Sequence, residues 1–195
     1  YILLFIIGSC VGSFLNVLID RLPRSESIRG RSYCENCATP LLWFDLIPIF
    51  SFLFLRGKCR KCGAKIPWRL PLVEFLTGTG FVAIYLLLFG NSLPPFTTLF
   101  DALYLRKDWL SIVKYSKVFY LLFLYSSFLV LFFADLEYGV LPDAVIFPAI
   151  VIATLWRFFF PLFYTKYQIL NTKYWLTNLE QYAIPAVALA VFFLF

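Results

Sequence analysis

The chain has 195 residues, 62% of them hydrophobic and only 14% charged, with a formal net charge of +6. No soluble core can hide that much apolar surface, so the composition excludes an ordinary soluble domain and implies a polytopic membrane protein. In a soluble chain the positive charge would suggest nucleic acid. Here the basic residues crowd one loop, as the positive-inside rule expects, and no nucleic-acid partner is inferred.

Residues 1–19 read as a first span, with small residues at Gly8, Ser9, Gly12 and Ser13. Gly8 and Gly12 stand at helical spacing, which suits the close approach of another helix. The span has no basic leader and no cleavage site, so it is not a signal peptide. Asp20, Arg21 and Arg24 mark the exit into water. The basic loop, residues 20–70, carries Arg21, Arg24, Arg29, Arg31, Arg56, Lys58, Arg60, Lys61, Lys65 and Arg69. Inside it, residues 41–55 are strongly apolar but shorter than the roughly 20 residues a crossing needs. Pro48 interrupts any helix there, and the segment is expected at the membrane interface or in a hairpin.

A second span is expected over 71–89, an outer loop over 91–117, and a third span over 118–134 that delivers Asp135. After a short turn, 136–143, a fourth span runs to about residue 163. A polar loop, 165–181, leads to an unfinished fifth span. Both ends of the chain fall in apolar runs, so a fragment of a longer product is expected. The fold class is therefore an all-α polytopic integral membrane protein with about four complete spans and part of a fifth. Its divisions are an N-terminal domain, 1–90, with the basic loop; the outer loop, 91–117; and a core, 118–195. With the basic loop in the cytoplasm, alternation of spans puts Asp135 and Asp143 on that side too.

Two pairs, Cys34-Glu-Asn-Cys37 and Cys59-Arg-Lys-Cys62, lie in the loop, separated by 21 residues. Two CxxC pairs read as a zinc ribbon, because a two-residue spacer lets one tight turn present two thiolates. Gly63 follows the second pair, where a knuckle needs positive φ. Nearby Arg and Lys side chains would offset an anionic four-thiolate centre. With four protein ligands there is no open position, so the zinc reads as structural. Disulfides are the alternative and require an oxidising side, against the charge bias. Cys10, within the first span, reads as a small apolar residue.

The chain has no histidine, which removes Ser-His and Cys-His nucleophilic machinery and leaves carboxylate chemistry. Asp135, at a span end without a basic neighbour in sequence, is a functional candidate; the plainer reading is an interfacial Asp marking a helix end. Asp143 reads as the cap of the next helix, and Glu137 as solvated. Glu74, just inside the second span, is placed to pair with Arg69, in a structural or a functional role.

The run Gly12-Ser13-Phe14-Leu15-Asn16-Val17, followed by Arg21-Leu22-Pro23, resembles the start of the type IV prepilin peptidases. The likeness continues through both cysteine pairs, Leu55-Arg56-Gly57-Lys58-Cys59, Trp68-Arg69 and Pro71-Leu72-Val73-Glu74. It resumes at Ala134-Asp135 and Leu141-Pro142-Asp143. The resemblance implies a GxGD-type aspartic endopeptidase of the bacterial inner membrane, cutting the leader of prepilins or pseudopilins after a glycine. It implies N-methylation of the new terminus from S-adenosylmethionine as well, with the cysteine loop tied to that half. By resemblance Asp135 is the first catalytic aspartate, Asp143 a supporting residue, and Cys34, Cys37, Cys59 and Cys62 the paired cysteines; Glu74 is added as a supporting residue from its place just inside the second span. The family's GxGD motif is not found here and is expected beyond residue 195, so residues 1–195 alone are expected to be inactive. No Gly-rich fingerprint marks a methyl-donor site. The alternative is a non-catalytic, membrane-anchored zinc-ribbon scaffold of a pilus or secretion system.

Overall fold

A computed structural model describes the backbone of residues 1–90 and 109–168, and the side chains of 1–90 and 116–158. Helix α1 spans Ile2–Arg21. The loop that follows holds a short 3₁₀ turn, Trp43–Leu46, and a five-residue helix α2, Phe50–Phe54. Helix α3 spans Arg69–Phe89, α4 spans Trp109–Tyr138 and α5 spans Asp143–Gln168. Among the described residues, three segments are long and apolar enough to cross a membrane: Ile2–Arg21, Arg69–Phe89 and Ser116–Tyr138. Helix α5 lies where a fourth span is expected but is not one of these three segments. Residues 91–108 of the outer loop, most of the polar loop and the fifth span lie outside the described residues. Tyr1–Ala153 make up one compact unit; of the other, Thr154–Phe195, the described part is helical to Gln168.

Small residues decide how the first unit packs. Helices α1 and α3 lie antiparallel, with Gly8 opposite Gly78 and Gly12 opposite Glu74. A Cβ at Gly12 would come within 2.7 Å of the Glu74 Cα, and one at Gly8 within 2.8 Å of the Gly78 Cα. Backbones this close leave no room for a methyl group, which is the packing anticipated for the Gly8/Gly12 pair. Helix α4 closes on both. Leu15, Ile19, Val73, Leu129, Val130 and Phe133 form the buried core between them. The Tyr125 hydroxyl donates to the Leu76 carbonyl at 2.8 Å. The outward faces carry Leu3, Ile6, Phe75, Phe119 and Phe128, all exposed, as lipid-facing side chains of spans must be.

Several boundaries differ from expectation. Helix α4 begins at Trp109, so residues 109–117 of the expected outer loop are helical. Helix α4 runs four residues past 134, so Asp135 sits in its last turn rather than after it. The Gly139 N–H donates to the Asp135 carbonyl at 2.8 Å and ends the helix there. With α5 starting at Asp143, the turn shrinks to residues 139–142. In the loop, Pro48 does break the apolar segment, which becomes the 3₁₀ turn and α2 on either side of it.

Candidate functional site

The two cysteine knuckles are built alike. The Ala38 N–H donates to the Cys34 carbonyl at 2.8 Å, and the Gly63 N–H to the Cys59 carbonyl at 2.9 Å. Each first cysteine also donates its own N–H two residues past the second one, to Thr39 at 3.0 Å and to Ala64 at 2.8 Å. Tyr33–Pro40 and Lys58–Lys65 close the two turns as antiparallel bridges. Both knuckles need left-handed backbone after the second cysteine. Gly63 adopts it without strain at φ 71°, whereas Ala38 takes φ 50°.

The knuckles meet so that all four Sγ atoms lie within 4.8 Å of one another. The Cys34 and Cys62 sulfurs are 3.8 Å apart, and bonds of 2.3 Å to one tetrahedral zinc put sulfurs about 3.8 Å apart. That spacing is far too long for a disulfide; all five cysteines are free. The Asn36 amide reaches the Cys62 sulfur at 3.6 Å. Backbone N–H groups of Cys62 and Lys61 lower the Cys59 thiol. Cys37 is pulled down to about 6 by the Thr39 side chain and backbone. Cys34 is lowered by the backbone of Cys37 and Asn36, yet burial and the neighbouring Cys59 and Cys37 raise it to about 11. Four thiols this close cannot all ionise unless a cation joins them. The donor set fits zinc, which Cys34, Cys37, Cys59 and Cys62 would hold.

A polar network, unread from sequence, ties this loop to the helices. Arg69, buried at the start of α3, contacts Asp20 at 2.5 Å and Glu137 at 2.7 Å. The first contact is a hydrogen-bonded ion pair; the second lacks hydrogen-bond alignment at Nε. Asn16 accepts from Arg69 at 3.5 Å and donates to the Leu70 carbonyl at 3.0 Å. The Tyr138 hydroxyl donates to Asp20 at 3.2 Å and accepts from Arg24 at 3.0 Å. Arg24 in turn pairs with Glu35, inside the first knuckle, at 2.9 Å. Glu137 is therefore ion-paired, not merely solvated. The signal for this network was the opposite signs of Arg69 and of Asp20 and Glu137 at adjoining span ends.

Glu74 does not pair with Arg69. Its carboxylate accepts the Ile49 N–H at 2.7 Å and a hydrogen bond from the Ser13 side chain. Helical geometry explains the difference, since residues five apart point to different faces. Asp135 is exposed on the last turn of α4. Contacts of Glu137 with Arg69 and of Tyr138 with Asp20 and Arg24 bring that turn to the loop end of the bundle. Asp143 is exposed too, as the first residue of α5, where a negative charge suits the positive end of the helix dipole.

Residues 6–88 match the family model described as the Bacterial Peptidase A24 N-terminal domain. A relative from Myxococcus xanthus is 53% identical over 83 residues, 42% of this chain and 25% of the relative. One from Klebsiella pneumoniae is 45% identical over 86 residues, 40% of this chain and 38% of the relative. One from Vibrio cholerae is 31% identical over 166 residues, 80% of this chain and 56% of the relative. All three are named prepilin leader peptidase/N-methyltransferase. Over 80% of its length the chain is similar to a prepilin leader peptidase/N-methyltransferase, and residues 6–88 carry the peptidase A24 N-terminal domain. It spans between a quarter and 56% of the length of these relatives. The prepilin peptidase match to residues 6–88 takes in the four cysteines, Arg69 and Glu74, while Asp135 and Asp143 lie outside it. No solved structure matches the chain.

Proposed function

We propose that this prepilin peptidase relative belongs to an enzyme of the bacterial inner membrane that cleaves the leader of type IV prepilins or pseudopilins after a glycine. The observation that carries the reading is Asp135: an exposed carboxylate on the last turn of α4, the turn that Glu137 and Tyr138 join to Arg69, Asp20 and Arg24. An aspartic mechanism uses two carboxyl groups sharing one proton. The ionised one takes a proton from water, and the neutral one donates to the scissile carbonyl oxygen. Asp135 supplies one member, and its partner is expected after the fifth span. Asp143 and Glu74 support the site by holding the start of α5 and the loop. The active site faces the cytoplasm, where the basic loop sits. Zinc, when bound, joins the two knuckles. N-methylation of the new terminus draws on S-adenosylmethionine.

In the full-length protein, Asp135→Asn is expected to lower prepilin cleavage by roughly 10²–10⁴-fold, the usual share of a general acid or base. Unprocessed prepilin on an immunoblot would mark that loss, and normal processing would end the assignment. Mass spectrometry of the pilin N-terminus separates cleavage alone from cleavage with methylation.

A further inference from the structure

Between the two knuckles the chain leaves several large apolar side chains uncovered. Trp43 is 76% exposed, Phe50 59%, Leu53 64% and Phe54 84%. The other side of the segment is turned to the ribbon. Arg60 stacks over Phe44 at 4.8 Å and pairs with Asp45 at 2.8 Å. The segment thus has a polar side held by the second knuckle and an apolar side that nothing covers among the described residues.

Its depth is set by a hydrogen bond. The Ile49 N–H, in a residue bent to φ 63°, donates to Glu74 at 2.7 Å. Glu74 lies five residues into α3, roughly 7.5 Å along the axis, and its Cα lies against Gly12 in the middle of α1. Side chains on a helix lean towards its N-terminus, which for Glu74 is the loop side. The carboxylate therefore reaches up, and the Ile49 amide reaches down to meet it. A backbone N–H lowered to the first turns of a span needs such a partner, because lipid offers none.

We propose that residues 43–54 form a shallow re-entrant element whose apolar side enters the boundary between headgroups and acyl chains. The occupant of that side is lipid, in the leaflet where α1 ends and α3 begins. Three features converge on a bilayer. The Ile49–Glu74 hydrogen bond holds the segment against the first turns of α3, a helix long and apolar enough to cross a membrane. Trp43 and the 71% exposed Trp68 are the side chains that favour an interface. Arg56, Lys58, Lys61 and Lys65 are exposed just beyond α2, where they meet anionic headgroups. An element of this kind settles roughly 5–10 Å into the boundary, in line with the Glu74 tether.

The test places a photoreactive benzophenone side chain at Phe54, at Leu53 and, as a water-facing control, at Tyr33 on the first knuckle. The full chain is irradiated in vesicles of phosphatidylethanolamine and phosphatidylglycerol, with and without added prepilin, and adducts are read by mass spectrometry. Lipid adducts from Phe54 and Leu53, with none from Tyr33, are expected. Adducts to a second copy of the chain or to prepilin in place of lipid, or no adduct at either position, would overturn the proposal. Two labelled positions keep the test open if one label perturbs the loop.

Discussion

At Arg69 one guanidinium answers two carboxylates, Asp20 and Glu137, while touching Asn16. Arg69→Met should cost about 3 kcal/mol, because it strands two partly buried anions. Thermal unfolding in detergent would show the loss, and an unchanged midpoint would mean the network is dispensable. Arg69→Lys should recover only part, since a point charge cannot fork between Asp20, Glu137 and Asn16. The cysteines are individually distinct as well. In chelator-treated protein at neutral pH, Cys37 is ionised, its thiol lowered to about 6, while Cys34, raised to about 11, keeps its proton. Thiolates are the reactive form. Iodoacetamide should therefore label Cys37 before Cys34, and the Cys37 rate should fall as pH drops through about 6. Peptide mapping after brief labelling checks the order.

Among the elements, the α1–α3 pair and the ribbon depend on different glycines for different reasons. Gly12 is a matter of space: a methyl group there meets the Glu74 Cα at 2.7 Å, a backbone atom that cannot step aside. Gly12→Ala should cost about 1–3 kcal/mol by forcing the helices apart, seen as a lower midpoint in detergent. Gly63 is a matter of backbone: nothing lies within 4 Å, but φ is 71°. Gly63→Ala should leave helix melting unchanged and weaken zinc retention, since strain of about 1–2 kcal/mol falls on the knuckle alone. Ala38 already bears that conformation in the first knuckle, so the ribbon should still form. Competition with a zinc-binding dye separates the two variants. A bundle midpoint lowered as much by Gly63→Ala as by Gly12→Ala would show that ribbon and helices are not separable.

For the whole molecule, apolar composition and the two CxxC pairs were enough to read membrane spans and a four-thiolate ribbon. Both are local: a span is set by uninterrupted hydrophobicity, and a knuckle by a two-residue spacer. Gly8 and Gly12 were legible for the same reason, as a small-residue spacing on one helix. The end of α4 was misjudged by four residues, because hydropathy fades at Asp135 whereas the hydrogen-bond ladder continues to Gly139. Pairings were harder still. Glu74 and Arg69, neighbours in sequence, part company across the bundle, and Arg69 finds Asp20 and Glu137 from other helices. The amino-acid order alone thus determined the solvent of each segment and the chemistry of the cysteines, since both depend on residues within a turn or a span. Only tertiary structure decided which charges meet, that Ile49 bonds Glu74 and that the last turn of α4 reaches Asp20, Arg24 and Arg69, because those contacts join residues that sequence holds tens of positions apart.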